Sequence, residues 1–218
     1  MPGPVTIAIL AGGKSSRFGG IDKQEILLNG EKLGRIVALN ALSAGGDVIV
    51  VGRNHAPYEA LPVIFTEDVV AGFGPLSGLH AALAKARTDW VYLVACDMPF
   101  FDLSWLDYLL ACAEGSGALS LTARFESHLE PFHALYSRRL IGSIDKIFGE
   151  GGEARRHFSF ARLIESAPHQ LIPESIARKY SPDWRLFRSI NTPEDLEALQ
   201  FSKKPGRNKI ETEEAQGS

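Results

Sequence analysis

Three short segments of this 218-residue chain carry residue types that handle phosphate and metal ions. The first is Leu10-Ala-Gly-Gly-Lys-Ser-Ser-Arg-Phe-Gly-Gly-Ile-Asp-Lys23, in which Lys14, Arg17 and Lys23 share one glycine-bearing loop. Glycines let successive backbone N–H groups close around an anion, and Arg17 and Lys23 would clamp it with charge-assisted hydrogen bonds. The second is Thr66-Glu67-Asp68 with Gly74-Pro-Leu-Ser-Gly78 just beyond, where Gly78 would let the backbone approach a flat base. The third is Ala95-Cys-Asp-Met-Pro99. Its Asp97 suits Mg²⁺, which takes one or two carboxylates and completes its shell with phosphate oxygens and water. Each segment also has a plainer explanation: a glycine-rich surface turn, a loop with a helix cap, an aspartate capping a turn.

Two familiar phosphate loops do not fit. A Walker A loop ending at Gly13-Lys14-Ser15 would need glycine at position 8, which is Ala8, and no GxGxxG fingerprint is present.

The elements around these segments read as alternating strands and helices. Val5–Ala11, Asp47–Gly52, Val63–Thr66 and Trp90–Ala95 are short β-branched or aromatic runs, the mark of buried strands. Leu33–Leu42 has apolar residues at helical spacing and stops at Gly45-Gly46, and Ser77–Ala86 is rich in alanine and leucine. Such alternation predicts βαβ units and a mostly parallel sheet covered by helices on both faces, a three-layer Rossmann-like α/β fold. All three segments then border one crevice, because ligands in such folds bind beyond the carboxyl ends of the strands.

The second half is less regular. Leu119–Ala123 and Pro131–Tyr136 read as strands, and helical patterns run near Leu140–Ile147 and Ala154–Ile164. Thr192-Pro193-Glu194-Asp195 is a helix start, with an N-cap hydroxyl, proline at the first helical position and acids in the first turn. His133 reads as a strand residue and not a base, while His80 and His157 show no partner pattern. Residues 202–218 lack apolar periodicity and are expected to be a disordered tail after one domain over residues 1–201.

Composition narrows the function. A formal charge of −3 gives no basic field to draw in nucleic acid, so an anionic ligand needs a local site. Cys96 and Cys112 form no CxxC and no disulfide framework, and a reducing cytoplasm is expected. No run approaches the ~18 apolar residues of a membrane span.

Together, the segments resemble the molybdenum cofactor guanylyltransferase family of nucleotidyltransferases. The likeness rests on Leu10–Lys23, Gly74-Pro-Leu-Ser-Gly78, Cys96-Asp-Met-Pro99 and Asn191-Thr-Pro-Glu-Asp-Leu196, and covers about residues 5–200. The double glycine of Leu-Ala-Gly-Gly, the Asp22-Lys23 pair and Gly-Pro-Leu-Ser-Gly point to the guanylyl branch, since related cytidylyltransferases usually carry Leu-Ala-Ala-Gly. The resemblance implies GMP transfer from GTP to molybdopterin with release of pyrophosphate, and transient contact with other molybdenum cofactor proteins. It implies that Leu10, Ala11, Gly12 and Gly13 hold the nucleotide through backbone contacts, and that Arg17 faces the triphosphate. Lys23 would bind the triphosphate, Asp68 the nucleoside and Asp97 Mg²⁺, with Gly78 near the guanine.

On the pterin side, Glu130-Pro131 stands where the family has His-Pro, and Arg155 or Arg156 matches an expected arginine. Val51-Gly52 replaces a nucleotide-contacting asparagine, for which the Gly52 backbone could substitute. Two other readings stay open: a CTP-using or sugar-phosphate nucleotidyltransferase, and a non-catalytic nucleotide-binding regulator. Against the regulator, both Lys23 and Asp97 are present.

Overall fold

A computed structural model describes residues 5–12, 14–15, 19–68, 70, 73–149 and 159–201. Eleven strands appear among these: β1 (Val5–Leu10), β2 (Lys14–Ser15), β3 (Ile21–Asp22), β4 (Leu27–Leu28), β5 (Glu31–Lys32), β6 (Val48–Val51), β7 (Ile64–Thr66), β8 (Trp90–Ala95), β9 (Ser120–Phe125), β10 (His128–Ser137) and β11 (His169–Pro173). The helices are α1 (Leu33–Leu42), α2 (Pro75–Lys85), α3 (Leu103–Ala113), α4 (Ile141–Gly149), α5 (Phe160–Glu165), α6 (Glu174–Tyr180) and α7 (Pro193–Phe201). Among the described residues, no helix is long and apolar enough to cross a membrane.

Seven strands form one sheet in the order β11-β9-β10-β8-β1-β6-β7. β1 pairs in parallel with β6 and β8, β6 with β7, and β9 with β11, while β10 alone runs antiparallel to its neighbours β8 and β9. Alternation along β1 decides the layers. Ile7 and Ile9 join an apolar cluster with α1, α3 and α6, whereas Ala8 and Leu10 join a second with α2, α4 and α5. Successive side chains of a strand point to opposite faces, so both faces of these hydrophobic strands are covered and the expected three layers form.

Several elements lie outside the sequence reading. Helix α3, edge strand β11, helix α6 and the two-stranded ribbons β2-β3 and β4-β5 were not expected. Ile26 and the ribbon residue Leu28 pack with Leu33 and Ile190 in a third apolar cluster, against which Leu196 and Leu199 of α7 also lie. This ties the loop after β1 to the far end of the chain. Of the helix expected over Ala154–Ile164, residues 154–158 lie outside the described residues and α5 forms the remainder. The tail expected over residues 202–218 also lies outside them.

The reversed strand carries a bulge. Register in the β9–β10 pair shifts between Glu130 and Leu135, and His133 there has φ +49°. The indole Nε1 of Trp105 donates to the His133 carbonyl at 2.8 Å, and His133 Nδ1 lies 2.9 Å from the Tyr92 hydroxyl. Such a bulge bends its strand and re-aims side chains. His133 is a strand residue, as expected, and fully buried.

Burial pushes the His133 imidazole down to about 3 from an ordinary 6.5. The unfolded chain therefore binds the extra proton first, and stability is lost as pH falls below 6.5 toward 3. His133→Asn removes the titration while tolerating positive φ. Between pH 7.5 and 5, wild type should lose about 2 kcal/mol more than the variant in urea unfolding. Equal losses would remove His133 from the acid response.

Candidate active site

The parallel ladder aligns three strand ends. Leu10 stands level with Ala95 on one side and Val51 on the other. Beyond them, Ala11 N–H donates to the Val51 carbonyl at 2.9 Å and Cys96 N–H to the Leu10 carbonyl at 3.0 Å. The chain leaves β1 and β8 side by side, with Gly12 and Asp97 at the mouth of one crevice. Ala11 is buried and its N–H is already taken by the sheet.

Lys23 begins a short 3₁₀ turn, Lys23–Glu25, capped by Asp22. Its ammonium Nζ donates to Asp97 Oδ2 at 2.6 Å and to Asn191 Oδ1 at 2.7 Å. The Asp97 side chain is only 10% exposed, so its charge needs this partner. The Asp97 carbonyl accepts from Ile190 N–H at 2.8 Å, which sets Asn191 beside the carboxylate. Asp195 fixes that segment by accepting from the N–H groups of Asn191 and Thr192 at 3.0 and 2.9 Å, while Thr192 Oγ1 accepts from Asp195 N–H at 3.2 Å. Thr192 is thus the expected cap. Asn191, which no sequence argument had singled out as a site residue, is held by that cap; its signal was its place immediately before it.

Two cavities meet at Leu10, Gly12 and Pro75, which line both. One, of about 660 Å³, is walled by Val51, Gly52, Gly74 and Gly78, with Asp68, Asp22 and Arg53 as its charged groups. The other, of about 510 Å³, holds Lys23, Asp97, His128 and Glu130 beside Phe132 and Phe187. Gly74 precedes α2 at φ +54°, ψ −136°, a conformation open to glycine, and Pro75 follows at the first helical position. At Gly78 a Cβ would lie 2.8 Å from Leu10 Cδ2, so a larger residue there would displace the Leu10 side chain.

The expected site residues Leu10, Ala11, Gly12, Lys23, Asp68, Gly78 and Asp97 all border these two cavities. Gly13, Arg17, Arg155, Arg156 and His157 lie outside the described residues. Two readings are corrected. The Gly52 N–H is bound to the Thr66 carbonyl at 3.0 Å, so it cannot replace the missing asparagine side chain as a donor. His80 does have a partner, Asp145 of α4, 2.9 Å from its Nε2, a pairing across helices that no local spacing reveals.

Glu130 belongs to the site through the bulge in β10. Burial pushes its carboxyl up to about 7; the Phe132 N–H, 3.4 Å from Oε1, works against this, and the Asp97 charge adds to it. Cys96 adjoins Asp97, but burial, with the nearby carboxylates, pushes its thiol far up, so it is no thiolate nucleophile. Asp97 Oδ2 and Asn191 Oδ1 are the hard oxygens set together for a cation. Among the described residues, no cluster of three or more His, Cys, Asp or Glu could hold a metal alone.

Residues 7–167 match the family model of the MobA-like NTP transferase domain. A molybdenum cofactor guanylyltransferase from Syntrophotalea carbinolica is 38% identical over 189 residues, 87% of each chain. Another from Desulfosudis oleivorans is 30% identical over 208 residues, 93% of this chain and 98% of that one. Among solved structures, molybdopterin-guanine dinucleotide biosynthesis protein A from Archaeoglobus fulgidus superposes with a TM-score of 0.73 at 26% identity, covering 90% of this chain and 97% of that one.

The raised Glu130 carboxyl has a measurable sign. The folded form keeps its proton up to about pH 7 and the unfolded form loses it near 4.5, so stability declines as pH rises through that window. In metal-free buffer, Glu130→Gln should be more stable than wild type at pH 8 by about 1–3 kcal/mol, and nearly equal to it at pH 4.5. A pH-independent difference in urea midpoints would show that Glu130 titrates normally.

Proposed function

The chain belongs to the MobA-like NTP transferase family, alongside the molybdenum cofactor guanylyltransferases, and we propose that it transfers GMP from GTP to the phosphate of molybdopterin. The products are molybdopterin guanine dinucleotide and pyrophosphate. The observation that supports this most is the Lys23 ammonium held between Asp97 and Asn191, with Lys23 and Asp97 lining the smaller cavity, which joins the larger one at Leu10, Gly12 and Pro75. The larger cavity can seat the nucleoside of the donor, and the smaller one its phosphates and the acceptor.

In the reaction a molybdopterin phosphate oxygen attacks the α-phosphorus of GTP. The new O–P bond forms as the bond to the β-phosphate bridging oxygen breaks. Two anions must meet, so positioning and charge neutralisation dominate the barrier. The attacking phosphate is already ionised near neutral pH, so no general base is needed.

The oxygens of Asp97 and Asn191 fit Mg²⁺, which accepts so sparse a protein donor set because phosphate and water complete its shell. Bound there, the ion would neutralise charge on phosphate oxygens. Lys23 exchanges its carboxylate and amide partners for phosphate oxygens and stabilises the charge that builds at the α-phosphate and on departing pyrophosphate. Arg17 is assigned to the triphosphate by its place in the loop. Gly12 and Gly13 would offer backbone N–H groups, and Asp68 would contact the nucleoside. The cavity of Glu130, Phe132 and Phe187 is read as the acceptor side, with Arg155 or Arg156 as further candidates there. We read residues 1–201 as one catalytic unit acting in the cytoplasm, handing product to other molybdenum cofactor proteins by transient contact.

Incubation with molybdopterin, GTP and Mg²⁺ should release pyrophosphate and form the dinucleotide. Asp97→Asn should lower that rate by about 10³-fold with an unchanged circular dichroism spectrum; full activity would remove the metal assignment. Lys23→Ala should weaken GTP binding by about tenfold or more in calorimetry. With Mg²⁺, GTP should raise the melting temperature more than CTP does; the reverse order would favour a cytidylyl donor.

A further inference from the structure

The larger cavity needs something to recognise the nucleobase, and the side chains around it restrict what that can be. Val51 is apolar and 4% exposed, and the Gly52 N–H belongs to the sheet. Asn54 has its amide nitrogen on Glu25 Oε1 at 2.8 Å and on Asp22 Oδ2 at 3.4 Å, while its Oδ1 accepts from Ala56 N–H at 3.1 Å. Gln24 Nε2 is likewise bound, to Asp22 Oδ2 at 2.7 Å. These donors are committed within the protein.

Arg53 is different. Among the described residues lining this cavity it is the one cation. Its Nε donates to Glu67 Oε2 at 3.1 Å, but the two side chains are 80% and 54% exposed. An ion pair that exposed contributes little and is readily exchanged. Arg53 also follows Gly52 at the carboxyl end of β6, on the rim of the crevice. The guanidinium is a rigid planar fork that matches two adjacent acceptors. Guanine presents such a pair, O6 and N7, and arginine reads it bidentately; adenine carries an amine donor in place of O6. Asp68, lining the same cavity, supplies an acceptor for N–H donors of the base.

We infer that Arg53 leaves Glu67 when GTP binds and reads the O6/N7 edge of guanine, making it the residue that specifies the base. The inference rests on the reading of GTP as donor.

The test is calorimetric titration of the full chain with GTP, 7-deaza-GTP and CTP in Mg²⁺, for wild type, Arg53→Ala and Arg53→Lys. Wild type should bind GTP about tenfold tighter than 7-deaza-GTP, which lacks the N7 acceptor. Arg53→Ala should bind the two alike, with the melting temperature unchanged because the side chain is exposed. Arg53→Lys keeps the charge and a donor for N7 but not the planar fork, and should give a ratio between those of wild type and Arg53→Ala. Retention of the wild-type ratio in Arg53→Ala would overturn the inference and leave guanylyl transfer standing. A wild-type preference for CTP over GTP would overturn the donor assignment itself, and the inference with it.

Discussion

The Lys23 ammonium is where distant parts of the chain meet. Its two acceptors, Asp97 and Asn191, lie 74 and 168 residues away in sequence. A carboxylate as enclosed as Asp97 is costly without a partner, and Lys23 supplies that partner from the short turn that follows β3. Packing keeps the arrangement in place. Ile26 and Leu28, just after Lys23, share an apolar cluster with Ile190, just before Asn191. The Asp97 carbonyl is in turn bound to Ile190 N–H. Charge pairing and apolar burial act on neighbouring residues, so the site holds its shape as part of the core.

The antiparallel strand gives the crevice its second half. β10 lies beside β8 in the sheet, and the bulge at His133 brings Glu130 and Phe132 to the cavity that contains Asp97. Trp105 of α3 and Tyr92 of β8 hold the bulge from one side of the sheet. A buried, uncharged His133 therefore serves the fold, while Glu130, three residues earlier, serves the site. On the opposite side, Gly74 and Gly78 wall the larger cavity, and Gly78 lies close against the Leu10 side chain.

Much of this was legible in the residues. The strands β1, β6, β7 and β8 and helices α1 and α2 follow from β-branched runs, helical periodicity and glycine stops, because each depends on local pattern. The glycine-bearing loop, Asp68, Gly78 and Asp97 could be assigned to one crevice because a parallel sheet sends all its strand ends to the same edge. Helix α3 escaped although Leu103–Ala113 carries an Asp102 cap whose side chain accepts from Trp105 N–H at 2.8 Å. Edge strand β11 escaped because its five residues are strand only by pairing with β9. The His80–Asp145 contact joins two helices, and no spacing within either one announces it.

The sequence by itself determined the layered α/β class and the family, since these rest on residue type and short-range order. Tertiary structure alone decided that Asn191 faces Lys23, that Glu130 shares a cavity with Asp97, and that the Gly52 N–H is unavailable while Arg53 lines the larger cavity. Each of these depends on a distance between residues far apart in the chain or on whether a polar group already has a partner. Both are properties of the folded packing, in which buried donors and acceptors must find each other.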